Sequence, residues 1–167
     1  YIPLSNGTTA IIKAFLGEGG QGSVYRCEVS GKQYALKIYT RRPTPAFIDN
    51  LADNIRQGAP TNHFLWPLAL VNTIDYVGYL MSLRPKDYMD FSRFLVAKAR
   101  FASWSAMLNA AFQITLAFRE LHRRGLSYQD LNDGNFFFNP TTGDVRICDN
   151  DNVCPADVNL GIKGKCR

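Results

Sequence analysis

Apolar and polar residues alternate along the N-terminal part of this 167-residue chain. The alternation is clearest around Val24 and Val29 and again from Tyr34 to Ile38, with the turn residues Ser30 and Gly31 between the two runs. Alternation with a period of two is typical of half-buried β-strands. We therefore predict three antiparallel strands, over residues 11–17, 23–29 and 33–40.

The pattern then becomes helical. Apolar residues recur at three- and four-residue steps between Pro45 and Gly58, and Gly58 is a stop signal, so this segment predicts one helix. Two further apolar runs, at 64–72 and 75–83, predict two more strands. Residues 1–83 are thus expected to form a five-stranded antiparallel sheet with one helix.

Residues 84–167 read as mainly helical. A short amphipathic pattern covers 88–100, and a longer one begins after the good N-cap Ser103 and ends at Gly125. Apolar residues lie on much of the longer helix, so we expect it to be widely buried. A small hairpin is predicted downstream, over residues 136–138 and 145–148.

Composition indicates a globular chain, with 46% hydrophobic and 20% charged residues. No apolar run approaches the roughly 20 residues of a membrane helix, so no membrane partner is expected. The net charge of +5 is scattered, which favours an ordinary basic surface over a nucleic-acid partner. The four cysteines show no metal-ligand spacing. Cys27 and Cys148 fall in apolar strand patterns and are expected to be reduced core thiols, which suits a cytoplasmic protein.

A glycine-rich turn lies between the first two predicted strands, with Gly17, Gly19 and Gly22 followed by Val24. The spacing G-x-G-x-x-G also occurs in dinucleotide-binding folds, but there the last glycine opens a helix, whereas a strand follows here. A plain hairpin and a phosphate-binding turn remain. Glycines allow backbone N–H groups to approach phosphates closely.

A lysine among apolar strand residues is costly unless its charge is compensated. Lys37 follows Ala35 and Leu36 in the third predicted strand. Phosphate oxygens and a carboxylate from the following helix would compensate it. Asp49 and Asp53 are the carboxylates available there, and Asp49 is slightly favoured.

The segment after the long helix contains Asp130, with Asn135 five positions on and Asp149 after the second hairpin strand. A carboxylate in such a loop can accept a proton from an attacking hydroxyl. The amide oxygen of Asn135 and the carboxylate of Asp149 are hard ligands that suit Mg²⁺.

Taken in order, these motifs resemble the eukaryotic-like Ser/Thr protein kinase family, in a bacterial-type branch. The resemblance implies an α+β, protein-kinase-like bilobal fold, with residues 1–83 as N-lobe and 84–167 as partial C-lobe. It implies ATP and Mg²⁺ as cofactors, with Asp130, Lys37 and Asn135 catalytic and Asn135 and Asp149 binding metal. The implied nucleotide-binding residues are Leu16, Gly17, Gly19, Gly22, Val24, Ala35, Lys37, Asp49, Met81, Ser82, Arg84, Phe137 and Cys148.

The chain departs from the family pattern at several places. Tyr128 and Gln129 replace the H-R of H-R-D, Asn132 replaces the loop lysine, and Asn150 and Asp151 replace the F-G of D-F-G. The A-P-E motif does not follow the last residues, so we expect a truncated C-lobe. Either the chain is a fragment of a longer protein, or a second copy or a partner domain covers the apolar surface that this leaves, and we expect the isolated chain to self-associate.

Three functions follow from the resemblance and its departures. The leading one is a Ser/Thr protein kinase, possessing weak activity because Asn132 removes a cation that would stabilise the transferring phosphoryl group. The alternatives are a non-catalytic nucleotide-binding scaffold and a small-molecule kinase, because a fold does not determine a substrate. The phosphoacceptor is not specified by these residues.

Overall fold

The structure is a computed structural model that describes residues 1–158. The described chain divides into two compact units. The first comprises Tyr1–Gly58 and Trp66–Leu83, and the second comprises Ala59–Leu65 and the chain from Arg84 onward. The short segment 59–65, which the sequence assigned to the first domain, therefore belongs to the second unit.

The first unit is built on one six-stranded antiparallel sheet. Its spatial order is β1-β2-β3-β4-β6-β5. The strands are β1 (Ile2–Pro3), β2 (Thr9–Glu18), β3 (Gly22–Val29), β4 (Lys32–Tyr39), β5 (Pro67–Asn72) and β6 (Val77–Met81).

The sheet curls until its two ends nearly meet. The backbone N–H of Ser5, just after β1, donates to the carbonyl of Leu70 in β5 at 2.8 Å, and the N–H of Leu70 donates to Ser5 Oγ at 2.9 Å. Register irregularities in β2 add twist to this curvature. The core of the unit includes Ile2, Leu4, Ala10, Cys27, Val29, Leu36, Ala69, Val71 and Leu80.

The predicted fold class is wrong. The five predicted strands correspond to β2–β6, but Ile2–Pro3 adds a sixth strand, and the sheet is nearly closed and barrel-like. Asn6 and Gly7 make the turn responsible: Asn6 Oδ1 accepts the N–H of Thr8 at 3.1 Å, and Gly7 adopts φ +81°. A strand of two residues is too short to show an alternation, so the sequence pattern does not reveal it.

One helix, α1 (Pro45–Gln57), accompanies the sheet. Thr44 caps its start by accepting the N–H of Phe47 at 3.3 Å, and Gly58 ends it with φ +73°. Leu51 and Asn54 are its buried residues. Leu51 joins Ala35, Tyr79 and Met81 in a second apolar cluster.

The described part of the second unit has a single long helix, α3 (Trp104–Arg123), and it is not the mainly helical lobe that was predicted. Its other helix, α2, covers only Phe91–Leu95. Within the described part of this unit, two small antiparallel sheets have the orders β10-β9-β7 and β11-β8. Their strands are β7 (Met89–Asp90), β8 (Leu126–Tyr128), β9 (Phe136–Phe138), β10 (Val145–Ile147) and β11 (Val153–Pro155).

The helix predicted over 88–100 is shorter than expected, and its two aromatic residues are partly buried against Phe138. The rings of Phe91 and Phe94 lie 5.5 and 5.8 Å from that of Phe138. Beyond Leu95 the chain turns sharply, with Ala97 at φ +56°. Residues with positive φ cannot continue a right-handed helix.

Helix α3 buries mainly alanines on one side. Ser103 caps its start by accepting the N–H of Ala106 at 3.1 Å. Four large apolar side chains on the helix are exposed: Trp104 by 77%, Leu108 by 64%, Phe112 by 62% and Met107 by 37%. The expectation that a second copy or a partner domain covers them stays a prediction. No helix within residues 1–158 has both the length and the apolar composition needed to cross a bilayer.

Cys27 in β3 is expected to resist alkylation. Its side chain is fully buried, and burial raises the pKa of the thiol from 9.0 to about 11. The thiolate is the reactive species, so the ionised fraction at pH 8 is about 100-fold lower than in an unfolded chain. Iodoacetamide labelling followed by peptide mass spectrometry should therefore modify the partly exposed Cys148 in native protein and Cys27 only after denaturation. Equal native labelling of both would contradict the burial of Cys27.

Candidate functional site

The loop that contains Asp130 begins at the end of a paired strand. Strand β8 pairs with β11, with Tyr128 opposite Val153, and the N–H of Gln129 donates to the carbonyl of Asn152 at 3.3 Å. A 3₁₀ turn over Asp133–Asn135 ends the loop. Asn132 caps this turn by accepting the N–H of Gly134 at 2.9 Å. Local hydrogen bonds thus hold the loop at both ends.

Two amide side chains hold the carboxylate of Asp130. Asn132 Nδ2 donates to Asp130 Oδ1 at 3.2 Å, and Asn135 Nδ2 donates to Asp130 Oδ2 at 3.3 Å. Asn135 Nδ2 also donates to the backbone carbonyl of Asp130 at 2.9 Å. Each carboxylate oxygen has further lone pairs, so the group is oriented but can still accept a proton.

These bonds determine the direction of the Asn135 side chain, which is 4% exposed. Because its amide nitrogen faces Asp130, its amide oxygen faces elsewhere and accepts the Cys148 thiol at 3.9 Å. A thiol is a weak donor, so a hard cation could replace it. The N–H of Cys148 also donates to the carbonyl of Asn135 at 2.9 Å, which brings the residue before Asp149 to this loop.

Asp149 lies immediately after this contact, in a left-handed conformation with φ 53° and ψ 44°. Such a conformation costs about 1–2 kcal/mol for most residues and less for aspartate, whose side chain can bond locally. The backbone carbonyl of Asp149 accepts two hydrogen bonds from Asn152, one from its backbone N–H at 3.4 Å and one from its side-chain Nδ2 at 3.3 Å. Strained residues often occur at functional sites, so the conformation supports a role for Asp149.

The donor set fits magnesium better than a metal that needs a complete protein cage. Residues 1–158 contain no group of three His, Cys, Asp or Glu side chains that could hold a metal ion. Magnesium binds through one or two protein oxygens and completes its shell with phosphates and water. The Asn135 amide oxygen and the Asp149 carboxylate match that requirement.

Tyr128 is a part of this site whose role the sequence did not predict. Its hydroxyl donates to the carbonyl of Cys148 at 2.5 Å. Burial, followed by the nearby Cys148 and Asp149, raises its pKa well above the usual range, so the hydroxyl stays protonated and remains a donor. Tyr128 thereby ties the Asp130 loop to the strand end that carries Asp149.

The residues that replace F-G form a buried polar turn. Asn150, Asp151 and Asn152 are each fully buried. Asn150 Nδ2 donates to the carbonyls of Leu65 and Ile147, both at 2.9 Å. This amide therefore joins the segment 59–65 to the end of β10, which explains why the segment belongs to the second unit.

In the first unit, the glycine-rich turn is closed by a bond from the N–H of Gly19 to the carbonyl of Gly22 at 2.9 Å. A Cβ on Gly22 would lie 2.2 Å from the carbonyl oxygen of Ile38, so only glycine fits there. A Cβ on Gly17 would meet nothing within 4 Å. The close approach of β3 to β4 therefore explains why position 22 requires glycine. It gives no such reason for the glycine at position 17.

Lys37 is 4% exposed in β4. Its Nζ donates to Gln21 Oε1 at 3.1 Å and lies 5.5 Å from the ring centroid of Tyr39 and 5.8 Å from that of Tyr79. Asp49 is exposed on α1, and no described hydrogen bond or ion pair joins it to Lys37. Asp53 is paired with Arg56.

The remaining predicted nucleotide-binding residues fall into separate groups. Ala35 and Met81 share the apolar cluster that Val24 packs against, whereas Leu16 and Ser82 are exposed. In the second unit, the Arg84 guanidinium lies over the Phe137 ring with Cζ 4.3 Å from the centroid. Their contact with a nucleotide stays a prediction. The residues 159–167, which include the run expected before A-P-E, lie outside the described residues.

Neither the protein-family models nor the curated proteins give a match to this chain. The resemblance to kinases therefore rests on the motif residues of the sequence. Of these, Asp130 and Asn135 are in direct contact, and Asp149 follows the residue that bonds Asn135.

Proposed function

We propose that the chain is an ATP- and Mg²⁺-dependent phosphotransferase of the Ser/Thr protein kinase type. The observation that carries the proposal is the Asp130 carboxylate, which two amides hold in one orientation. The same amide of Asn135 leaves its oxygen to a weak thiol donor. A proton acceptor and an oxygen ligand for a cation thus lie in one short loop, as phosphoryl transfer requires.

In the proposed reaction, Asp130 accepts the proton of the attacking hydroxyl. The hydroxyl oxygen forms a bond to the γ-phosphorus of ATP, and the bond from that phosphorus to the β–γ bridging oxygen breaks. ADP leaves with the electron pair, and Asp130 releases the proton to solvent. A fixed carboxylate favours this transfer because the reacting geometry is set before the reaction.

Asn135 and Asp149 are the residues that would hold Mg²⁺. When bound, the ion neutralises the charge of the phosphate oxygens. Tyr128 keeps these two residues in register through its bond to the Cys148 carbonyl. In the first unit, we assign Lys37 and the backbone of the glycine-rich turn to phosphate contacts. Buried, unpaired thiols such as Cys27 support a reducing, cytoplasmic location.

Asn132 favours a second candidate, a nucleotide-binding protein without catalysis. The kinase family has a lysine at this position. The neutral amide of Asn132 instead donates to the Asp130 carboxylate and accepts the N–H of Gly134, which caps the 3₁₀ turn. It adds no positive charge for the transferring phosphoryl group. A small-molecule phosphoacceptor is the third possibility, and the same turnover assay tests it.

A nucleotide-binding experiment tests the proposal directly. At a concentration 100-fold above the Kd, Mg·ATP should raise the Tm by roughly 5–10 °C, because only the folded chain binds it. Asp149→Asn should remove most of the Mg²⁺-dependent part of the shift. Asp157→Asn, an exposed change of the same kind, is the matched control and should preserve it. A parent chain with no shift, or a shift identical with and without Mg²⁺, would refute the proposed cofactors.

A further inference from the structure

The sheet of the first unit carries an apolar cluster on each of its two faces. Leu36 and Leu80 belong to the first cluster, whereas Ala35 and Met81 belong to the second. Directly paired residues of antiparallel strands point to the same face. Arg26 in β3 is paired with Ala35, and Ala35 is paired with Met81. The Arg26 side chain therefore lies on the face of the second cluster.

Arg26 brings an unsatisfied hydrogen-bond donor to this face. The residue is half-buried, and its Nε is shielded from solvent and has no hydrogen-bond partner among residues 1–158. Glu28, the next residue on this face of β3, pairs instead with Lys13 at 3.3 Å. Buried donors in folded proteins nearly always have an acceptor, and exceptions are expected at functional sites. The unsatisfied Nε therefore points to an acceptor on a ligand.

The position of Arg26 along β3 indicates which part of a nucleotide it meets. Val24 is paired with Lys37, which is assigned to phosphate contacts. Arg26 lies two residues further from the glycine-rich turn, about 6–7 Å along the strand. Its neighbours across the sheet, Ala35 and Met81, are apolar and buried. Such surroundings suit a base or a sugar better than a triphosphate, because burying a charge away from water is costly.

We propose that Arg26 is a further ligand-binding residue, whose Nε donates to an acceptor atom on the nucleoside part of ATP. Ring nitrogens of adenine and hydroxyl oxygens of ribose are acceptors of the required kind. The bond gives Nε an acceptor that residues 1–158 do not supply, so it favours the complex over the free chain. This inference rests on the proposed nucleotide-binding function and adds to it a residue that sets affinity for the nucleoside.

Arg26→Met should weaken the binding of the nucleoside and leave the binding of phosphates unchanged. Methionine retains an apolar stem but removes the donor, so the Kd of Mg·ATP and the Kd of adenosine should both rise by at least about 10-fold. The Kd of magnesium tripolyphosphate, which has no nucleoside, should stay the same. Lys32→Met removes a positive charge at an exposed position of the same sheet and should leave all three Kd values unchanged.

A second measurement needs no nucleotide. The removal of a buried donor without an acceptor takes no hydrogen bond from the folded chain, so the Tm of Arg26→Met without ligand should equal or exceed that of the parent. If Arg26 had a structural role, the same substitution would lower the Tm by about 3 °C or more. Thermal unfolding followed by circular dichroism gives this comparison.

The two measurements separate the possible failures. A Tm of Arg26→Met clearly below that of the parent would overturn the unsatisfied donor, whether or not ATP binds. If the parent binds Mg·ATP, and Arg26→Met binds both ATP and adenosine with the parent's Kd, the nucleoside contact is refuted and the proposed function stands. A weaker affinity for tripolyphosphate with unchanged affinity for adenosine also refutes this contact, because Arg26 then meets phosphate.

The proposed function can also fail while the contact survives. If the parent binds adenosine but neither Mg·ATP nor tripolyphosphate, and Arg26→Met loses the adenosine affinity, the proposed cofactor is wrong and the nucleoside contact is supported. A parent chain that binds none of the three ligands would overturn both.

Discussion

Asp130→Asn should lower kcat for ADP formation from Mg·ATP by about 10²–10⁴-fold, the range expected when a general base is lost. The substitution keeps the size of the side chain and removes the proton acceptor. The Tm shift produced by Mg·ATP should remain, because Asp130 is not assigned to nucleotide binding. Loss of turnover with retained binding is therefore the expected pair of results.

Asp133→Asn is the matched control, because it removes one carboxylate from the 3₁₀ turn that ends the Asp130 loop. Asp133 is not among the residues that hold the Asp130 loop, so turnover should change by less than about twofold. Equal turnover in Asp130→Asn and the parent chain would contradict the assigned role. A parent chain that binds Mg·ATP and forms no ADP, with or without peptide or small hydroxyl compounds, would favour the non-catalytic alternative.

Gly143→Ala should lower the free energy of unfolding of the second unit by about 2–5 kcal/mol. Gly143 has φ +75°, and an added Cβ would lie 1.9 Å from the carbonyl oxygen of Ala106 in α3. The turn cannot easily move away, because Asn109 Nδ2 donates to the carbonyl of Thr142 at 2.8 Å. Urea denaturation followed by far-UV circular dichroism measures the change.

Gly125→Ala separates the cost of backbone strain from the cost of a steric clash. Gly125 belongs to the same unit and has a similar φ of +70°, but an added Cβ would meet nothing within 4 Å. It should therefore cost only about 1–2 kcal/mol, the strain of the left-handed conformation. If Gly143→Ala is no more destabilising than Gly125→Ala, the turn is not packed on α3 as described.

Several features of the chain were predictable because they are local. Strands β2 to β6, helix α1 and helix α3 follow from the period of the apolar residues, and Ser103 was recognisable as an N-cap before the structure. The five-residue spacing of Asp130 and Asn135 also belongs to this class. One turn of 3₁₀ helix brings such residues together, so their contact needs little from the rest of the fold.

Other features depend on partners distant in sequence. The two ends of the sheet approach each other because Ser5 meets Leu70, and segment 59–65 joins the second unit because Asn150 bonds the carbonyl of Leu65. Asp49 was favoured to compensate Lys37 on the basis of helix spacing, yet α1 turns Leu51 and Asn54 inward and leaves Asp49 exposed. The amide of Gln21, from a turn with no pattern of charge, is one of the groups that contact Nζ.

The sequence by itself determined the periodic elements and the residues of the Asp130 loop, because periods, caps and short spacings act within a few turns of the chain. Only the tertiary structure decided the sixth strand, the nearly closed sheet, the short α2 and the partners of buried polar groups such as Asn135 and Asn150. Each of these depends on which distant backbone groups satisfy a hydrogen bond or fill an apolar space, and a linear pattern does not encode that choice.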